Sequence, residues 1–466
     1  MIGKWLGCAW IFAAAAGTPV PAGAVTFDYT VRANATYEVD GPRDLGLGSG
    51  STADNFLVNL TPRALIEFNP DFTGYVRGRV FLPTGSVVPY DNGQPSAQAP
   101  AQVFAGLDEL WLEYNGLTNY PGEAFRIGRQ QIRHSDGIWI AQNADAIRWS
   151  FDTTLLDADL GLIHQFSSYR TDDIPVVAAQ RHRTYGFASI AGDWRPGHRL
   201  GLRVLHATDH DGLPAPGTEV TENTKLQDAD LTWIGAFIDN GYFKRTEAGH
   251  VAYRGEISYL FGDDRRSALT PAGVVGGASK LSLGALAATG DIRWRPFQLP
   301  LQFGLTGAYS QGGGSHQFQQ TGLQSNGANF TGTATLINRY NETLRAELGN
   351  LRVIGAYLSL SFLYNDASLI FENFSKDDRR SPIVTDNVTA ITSGSSRDVG
   401  NGLDLVLTHY FNAAPIGALF VDDEGAVREQ RASLRLRSSL FNPGAAYDSQ
   451  AKLDYRVLLE CTIWLF

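Results

Sequence analysis

The sequence predicts an all-β protein: a transmembrane antiparallel β-barrel of about 18 strands (roughly 16–18), with long loops as possible lids. Three observations predict it. From Thr26 to Asp40, Phe27, Tyr29, Val31, Ala33, Ala35, Tyr37 and Val39 alternate without a break with Asp28, Thr30, Arg32, Asn34, Thr36, Glu38 and Asp40. That run is longer than the ~5–6 residues of a typical soluble strand and covers the ~9–11 that a tilted barrel strand needs to cross a bilayer. Similar runs recur roughly every 20–25 residues, joined by short turns and long polar stretches. The sequence ends on Trp464 and Phe466, an aromatic finish common in outer-membrane barrels.

Composition agrees. Only 18% of residues are charged and 11% are aromatic, with 50 Gly and one Met among 466 residues. Aromatic residues suit a pleated surface. The net charge of -10 argues against nucleic acid as a partner.

Residues 1–24 read as a secretory signal: Lys4 is the positive start, Trp5 to Gly17 the apolar core, and Ala22-Gly23-Ala24 the cleavage site. The apolar core is too short to span ~30 Å of hydrocarbon. Cleavage after Ala24 removes Cys8 and leaves Cys461 unpaired. Residues 25–466 then form the barrel. An exported chain without a long apolar helix is either soluble or a barrel, and the fifteen-residue alternation decides for the barrel.

Along the chain, Phe56 to Glu67 and Thr73 to Leu82 are strands around the turn Asn69-Pro70-Asp71. Arg77 and Arg79 share a face. In Asp108–Thr171, Leu110, Leu112 and Tyr114 oppose Glu109, Trp111 and Glu113, and the turn dipeptides Asn115-Gly116 and Pro121-Gly122 follow. Later strands are expected at 185–193, 251–261, 280–295 and 299–310, and 265–278 is expected as a loop. Gly312-Gly313-Gly314 opens a polar stretch to Thr335; 336–348 and 351–365 read as a strand pair. The long stretches 83–103 and 375–401 are the candidate lids, since loops of such length are usually functional. At the C-terminus, Trp464 and Phe466 share a parity with Glu460, Arg456 and Asp454, and one bulge is expected to reconcile the register.

The stretch from Asp108 to Thr171 also resembles a known family. Trp111, Tyr114, Gly116-Leu117-Thr118, Tyr120-Pro121-Gly122-Glu123, Gly128-Arg129-Gln130, Arg133, Trp139, Trp149, Phe151 to Leu156 and Tyr169-Arg170-Thr171-Asp172 carry the likeness. It resumes at Gln317 to Leu323, Asn329 to Thr333, Leu403 to Val406 and Leu440 to Gly444. These residues resemble the alginate-export outer-membrane proteins of Gram-negative bacteria, in order and over almost the whole mature chain. The resemblance implies a monomeric 18-stranded barrel, a lumen lined by Arg and Lys, and a long-loop lid from each side. It implies passage of an acidic polysaccharide, alginate or a similar polyuronate, delivered by periplasmic export machinery, with outer-membrane lipid around the barrel and no cofactor. Such a polymer carries a carboxylate on each sugar, and a ladder of guanidinium groups offers each one a bidentate partner.

Transferred residue by residue, Arg32 stands where relatives have Lys, Arg435 matches a lumen Arg, and Asp172 matches a lumen Asp. Asp108, Gln131, Gly327 and Leu336 stand where relatives carry Arg. Thr61 replaces another Arg, with Arg63 two residues on along the same face; Ala141 and Ser168 replace acids. The expected passage is therefore lined by Arg32, Arg63, Arg77, Arg129, Arg133, Asp172, Arg345 and Arg435. For each Arg the plainer role is a rim group paired with a nearby carboxylate.

Catalytic and metal motifs find no support. His134-Ser135-Asp136 are consecutive, which does not build a triad's relay geometry. Asp157 and Asp159 lack a following loop of oxygen ligands for calcium. The Gly312 run lacks the Lys of a phosphate loop. The expected function is a passive exporter of an acidic polysaccharide. A general anion-preferring porin for small solutes is the alternative, and an outer-membrane lipase or polysaccharide lyase the reading from another class.

Overall fold

The computed structural model describes residues 25–465 except 49, 86–102, 172–175, 177, 210–211, 222–223, 244–245, 271–272, 297–298, 363, 395, 412–419, 422–426 and 429–431. The first strands are β1 (Thr26–Asp40), β2 (Ala53–Asn69), β3 (Phe72–Gly85), β4 (Phe104–Tyr114), β5 (Glu123–Arg133), β6 (Ala141–Asp152) and β7 (Leu156–His164). A short helix, α1 (Ala178–Arg181), precedes β8 (Arg183–Arg195), β9 (His198–Asp209), β10 (Gln227–Asp239), β11 (Val251–Leu269), β12 (Val275–Trp294) and β13 (Leu301–Ser310). The remainder are β14 (Gly327–Ala328), β15 (Ile337–Asn338), β16 (Arg352–Phe362), β17 (Asn365–Ser375), β18 (Asp398–Phe411), β19 (Phe420–Val421), β20 (Val427–Arg428), β21 (Ala432–Pro443) and β22 (Asp454–Leu465).

All but the four two-residue strands form one antiparallel 18-stranded sheet. It closes because β1 pairs with β2 on one side and with β22 on the other: Arg32 faces Thr61 across one ladder and Trp464 across the other. Closure leaves no strand edge, the condition for a sheet to cross hydrocarbon. The end carrying Val25 has mostly short turns, with the 412–431 connection its exception, and the opposite end carries the long loops. That asymmetry assigns the long loops to the cell exterior.

The polarity is inside out. On β9, Leu202 is 56% exposed while neighbouring Arg203 is 5% exposed. Phe27, Tyr29, Leu160, Leu162, Ile257 and Leu305 also point outward. Among soluble proteins such a surface is an aggregation hazard; around a barrel it is the band that meets lipid.

Three local expectations change. Residues 336–348 do not form a wall strand. Ile337 through Leu344 are all buried, whichever way they point, because the whole segment 311–351 folds into the barrel. Alternation cannot survive where both faces are covered. Residues 265–278 are largely strand, since β11 and β12 run on as a hairpin with Asp263 and Lys280 paired at 2.7 Å. Polar residues on both faces hid this from the periodicity. The C-terminal ladder needs no bulge: β22 pairs with β1 and β21 without a register shift, and Trp464 faces inward.

An Arg at Leu305, midway along β13, places a charge against hydrocarbon. Leu305→Arg is expected to lower stability by about 2–4 kcal/mol, read from denaturant unfolding in lipid vesicles.

Candidate functional site

The barrel interior is divided by two inward structures. One is the outer part of the β5–β6 hairpin. Its tip, residues 134–140, turns at Gly137 (φ 66°), where a Cβ would strike the Gly327 carbonyl. The tip reaches across to β9 and β11. Asp136 accepts from Arg203 at 2.7 Å and from Arg254 at 2.6 Å. Arg203 also pairs with Glu256, and Trp139 donates its indole N–H to Glu256 at 2.7 Å. Burial would raise the Asp136 carboxyl, but Arg203 and Arg254 hold it well below the usual carboxylate range. Burial and Arg203 push His134 down to about 4, so it stays neutral.

The other structure is the 311–351 segment. The main-chain N–H of Ala141 bonds the Leu323 carbonyl at 2.7 Å, tying it to the hairpin. Arg339 pairs with Asp291 of β12 at 2.6 Å, Asn341 donates to Asp404 of β18 at 2.7 Å, and Arg437 of β21 pairs with Glu342 at 2.6 Å. Phe318, Leu323, Tyr340, Leu344 and Leu348 pack against inward apolar residues of the wall, including Ile163, Phe187, Leu205, Trp233 and Leu260. One side of the barrel is thus filled by an apolar core. Residues 376–397 cap the segment from outside: Asn350 donates to the Ser381 carbonyl at 2.7 Å and Asn387 to the Thr343 carbonyl at 2.9 Å.

Inward charged groups that keep solvent access lie along β1–β3 and β21, and others, Arg126, Arg148 and Arg199, lie on β5, β6 and β9, each paired with an acid. Arg32 and Arg63 stack on Trp464, 5.4 and 5.2 Å from the ring centroid. Arg77 pairs with Glu109 at 3.0 Å, Arg79 with Asp108 at 3.1 Å, and Arg435 lies 3.5 Å from Glu460. Guanidinium groups with one face on an indole or one edge on a carboxylate still have donors to offer an anion.

The sequence profile of the alginate export family matches residues 25–456. The chain belongs to the alginate export family. It is 32% identical to a Pseudomonas aeruginosa protein named "Alginate production protein AlgE", over 92% of this chain and 90% of that one. The Azotobacter vinelandii protein of that name is 31% identical, over 94% and 93%. Among solved structures, the outer membrane protein OpdK of Pseudomonas aeruginosa superposes with a TM-score of 0.56 at 10% identity, covering 94% of this chain and 98% of that one. OccAB1 of Acinetobacter baumannii gives 0.55, also at 10% identity, covering 94% and 97%. At such identity these two speak for the fold alone: an outer-membrane barrel.

In this alginate-export barrel the expected passage residues fall into distinct settings. Arg32, Arg63, Arg77 and Arg435 project inward from the wall. Arg129 is buried; it donates to the Leu107 carbonyl at 3.0 Å, lies over the Tyr169 ring and sits 4.0 Å from Asp145. These contacts give it a fastening role at the base of the inward hairpin. Arg133 is exposed and donates to the Gly327 carbonyl at 3.1 Å. Arg345 belongs to the inward segment, at a positive φ of 50°. Asp172 lies outside the described residues, as does most of the 83–103 stretch. The set omitted Arg79, Arg437, Glu109 and Trp464. The doublets Arg77-Gly78-Arg79 and Arg435-Leu436-Arg437 carried the signal for two of them, since each shares a strand face.

Two predictions follow from the buried contacts. Asp136→Asn removes the carboxylate that ties the hairpin tip to Arg203 and Arg254, which keep Glu256 and Asp239, at a cost of about 1–3 kcal/mol to hairpin docking. Amide exchange at 134–140 is expected to speed up. The second concerns Glu347, which burial and neighbouring Asp386 push up to about 8; Gln324 bonds it at 2.8 Å, and Arg345 acts on Asp386. Its folded-state value lies above the ordinary 4.5, so the folded form holds the extra proton. The contribution is present below about 4.5 and is lost as pH rises to about 8. Exchange in 376–397 is expected to accelerate across that window.

Proposed function

We propose that this barrel is a passive outer-membrane channel through which an acidic polysaccharide, alginate or a similar polyuronate, leaves the cell. Membership of the alginate export family supports the cargo class. The observation that carries the mechanism is the placement of partly exposed guanidinium groups. Arg32, Arg63, Arg77 and Arg435 stand on inward faces beside the half of the barrel that the 311–351 segment fills with apolar side chains. A polymer threading past them exchanges one carboxylate for the next. Each site is weak, because each cation already has a partner, and weak sites in series allow transit without trapping.

The reading has further parts. Residues 1–24 act as a secretory leader, removed after Ala24. The mature barrel works as a monomer and receives polymer from periplasmic export machinery. Asp172 joins the passage, and Arg133 and Arg345 line its inner boundary as parts of the two inward structures.

Planar-bilayer recording tests the cargo. Block of current by oligouronate and indifference to a neutral oligosaccharide of equal length are expected; equal indifference to both overturns the reading in favour of a small-solute porin. Charge reversal tests the passage. Arg32→Glu combined with Arg435→Glu is expected to lower the anion-to-cation permeability ratio by about threefold or more. An unchanged reversal potential in a salt gradient removes both residues from the path.

A further inference from the structure

On β4 the acids Asp108 and Glu109 are adjacent, and adjacent strand residues normally point to opposite faces. Strict alternation would send Asp108 to the lipid side with Leu110. The β3–β4 ladder avoids this with a bulge: Arg77 faces Glu109, the next pair is Gly78 with Leu107, and Asp108 is the extra residue. Both acids are buried, at 8% and 5% exposure. Asp108 reaches Arg79 at 3.1 Å and Arg77 at 3.7 Å, while Glu109 reaches Arg77 at 3.0 Å. Two carboxylates thus meet two guanidinium groups on one patch of wall. The contrast is Arg63 on the neighbouring strand. Its described contacts are the Thr30 hydroxyl at 2.7 Å and the Trp464 ring, with no carboxylate among the described residues.

We infer that Asp108 is a specificity-determining residue that sets how strongly the passage holds a polycarboxylate. The inference rests on the polyuronate reading above. Arg77 and Arg79 stand two residues apart on one strand face, so without Asp108 the patch would set two guanidinium groups against Glu109 alone and offer an incoming carboxylate an uncompensated positive charge. With Asp108 in place, a polymer carboxylate must displace a tethered one. Binding becomes an exchange of like for like and stays shallow, as conduction through multiple sites requires. The bulge is the structural device that delivers the carboxylate, since the unbulged register would leave it outside.

The test is made on full-length protein in planar bilayers, with folding checked by heat-modifiable mobility. Asp108→Asn and Asp108→Ser are both measured, so that the result does not hang on one substitution. Each is expected to move the salt-gradient reversal potential toward anion selectivity. Each is also expected to lower the oligouronate concentration for half-block by about threefold or more. Adding Arg79→Gln to Asp108→Asn is expected to return both readings toward the starting protein. Unchanged reversal potential and unchanged block in both single variants overturn the inference. A shifted reversal potential with no oligouronate block in any protein upholds the charge role of Asp108 and overturns the polyuronate reading.

Discussion

The closing ladder between β1 and β22 is the constraint from which the rest of the molecule follows. Ten successive pairs, from Val31 with Leu465 to Asp40 with Arg456, remove the sheet's two free edges. In hydrocarbon an unpaired backbone group costs several kcal/mol, so an open sheet is not an option. Closure in turn dictates that side chains alternate between lipid and lumen, and hence that the interior receives the polar set. An 18-stranded ring is also wide, and a wide ring with no filling would pass solutes indiscriminately. Selectivity therefore depends on what the chain folds back inside.

The filling is held mainly by ion pairs and polar contacts at its boundary and by apolar packing at its centre. Asp136 with Arg203 and Arg254, Arg339 with Asp291, and Glu342 with Arg437 each join an inward structure to a different part of the wall. Buried pairs of this kind add little net stability compared with apolar packing. Their use is positional: an acid that loses its partner is costly, so few alternative dockings of the hairpin or the segment are tolerable. The apolar contacts from Phe318, Leu344 and Leu348 supply the non-directional part. This division leaves the apolar filling on one side of the barrel and the Arg groups of the proposed passage on β1–β3 and β21 beside it.

How far all this could be read beforehand depended on whether the two faces of a segment met different surroundings. Thr26–Asp40 declared itself at once, because one face meets lipid and the other water. The inward segment did not, since Ile337 to Leu344 are covered on every side and carry no period. Arg77 was legible as an inward cation from its strand. The parity of the strand alone assigns its partner Asp108 to the wrong face; the resemblance placed that residue at a lumen position, and the bulge is what brings it there. Two adjacent acids within an alternating strand were the available signal. Arg129 illustrates the converse: its motif was plain, yet its burial beneath Tyr169 follows from the hairpin leaving the wall, a long-range event with no local mark.

Trp464 shows how the same parity serves two environments. Aromatic residues near the end of a barrel strand suggest the lipid interface, where an amphipathic ring is at home. Here the unbroken register turns the indole inward, and Arg32 and Arg63 cover it. A cation over an indole gains about 0.5–1 kcal/mol at a solvent-accessible site. That is enough to hold the two long side chains against the wall, yet small beside a charge-assisted bond to a carboxylate. In the passage proposed above, the stack would keep the guanidinium groups ordered between encounters and yield them to an arriving anion. Asp108 and Glu109 hold Arg77 and Arg79 by charge instead. The basic groups of the wall are thus held by two chemically different kinds of partner, one aromatic and one acidic.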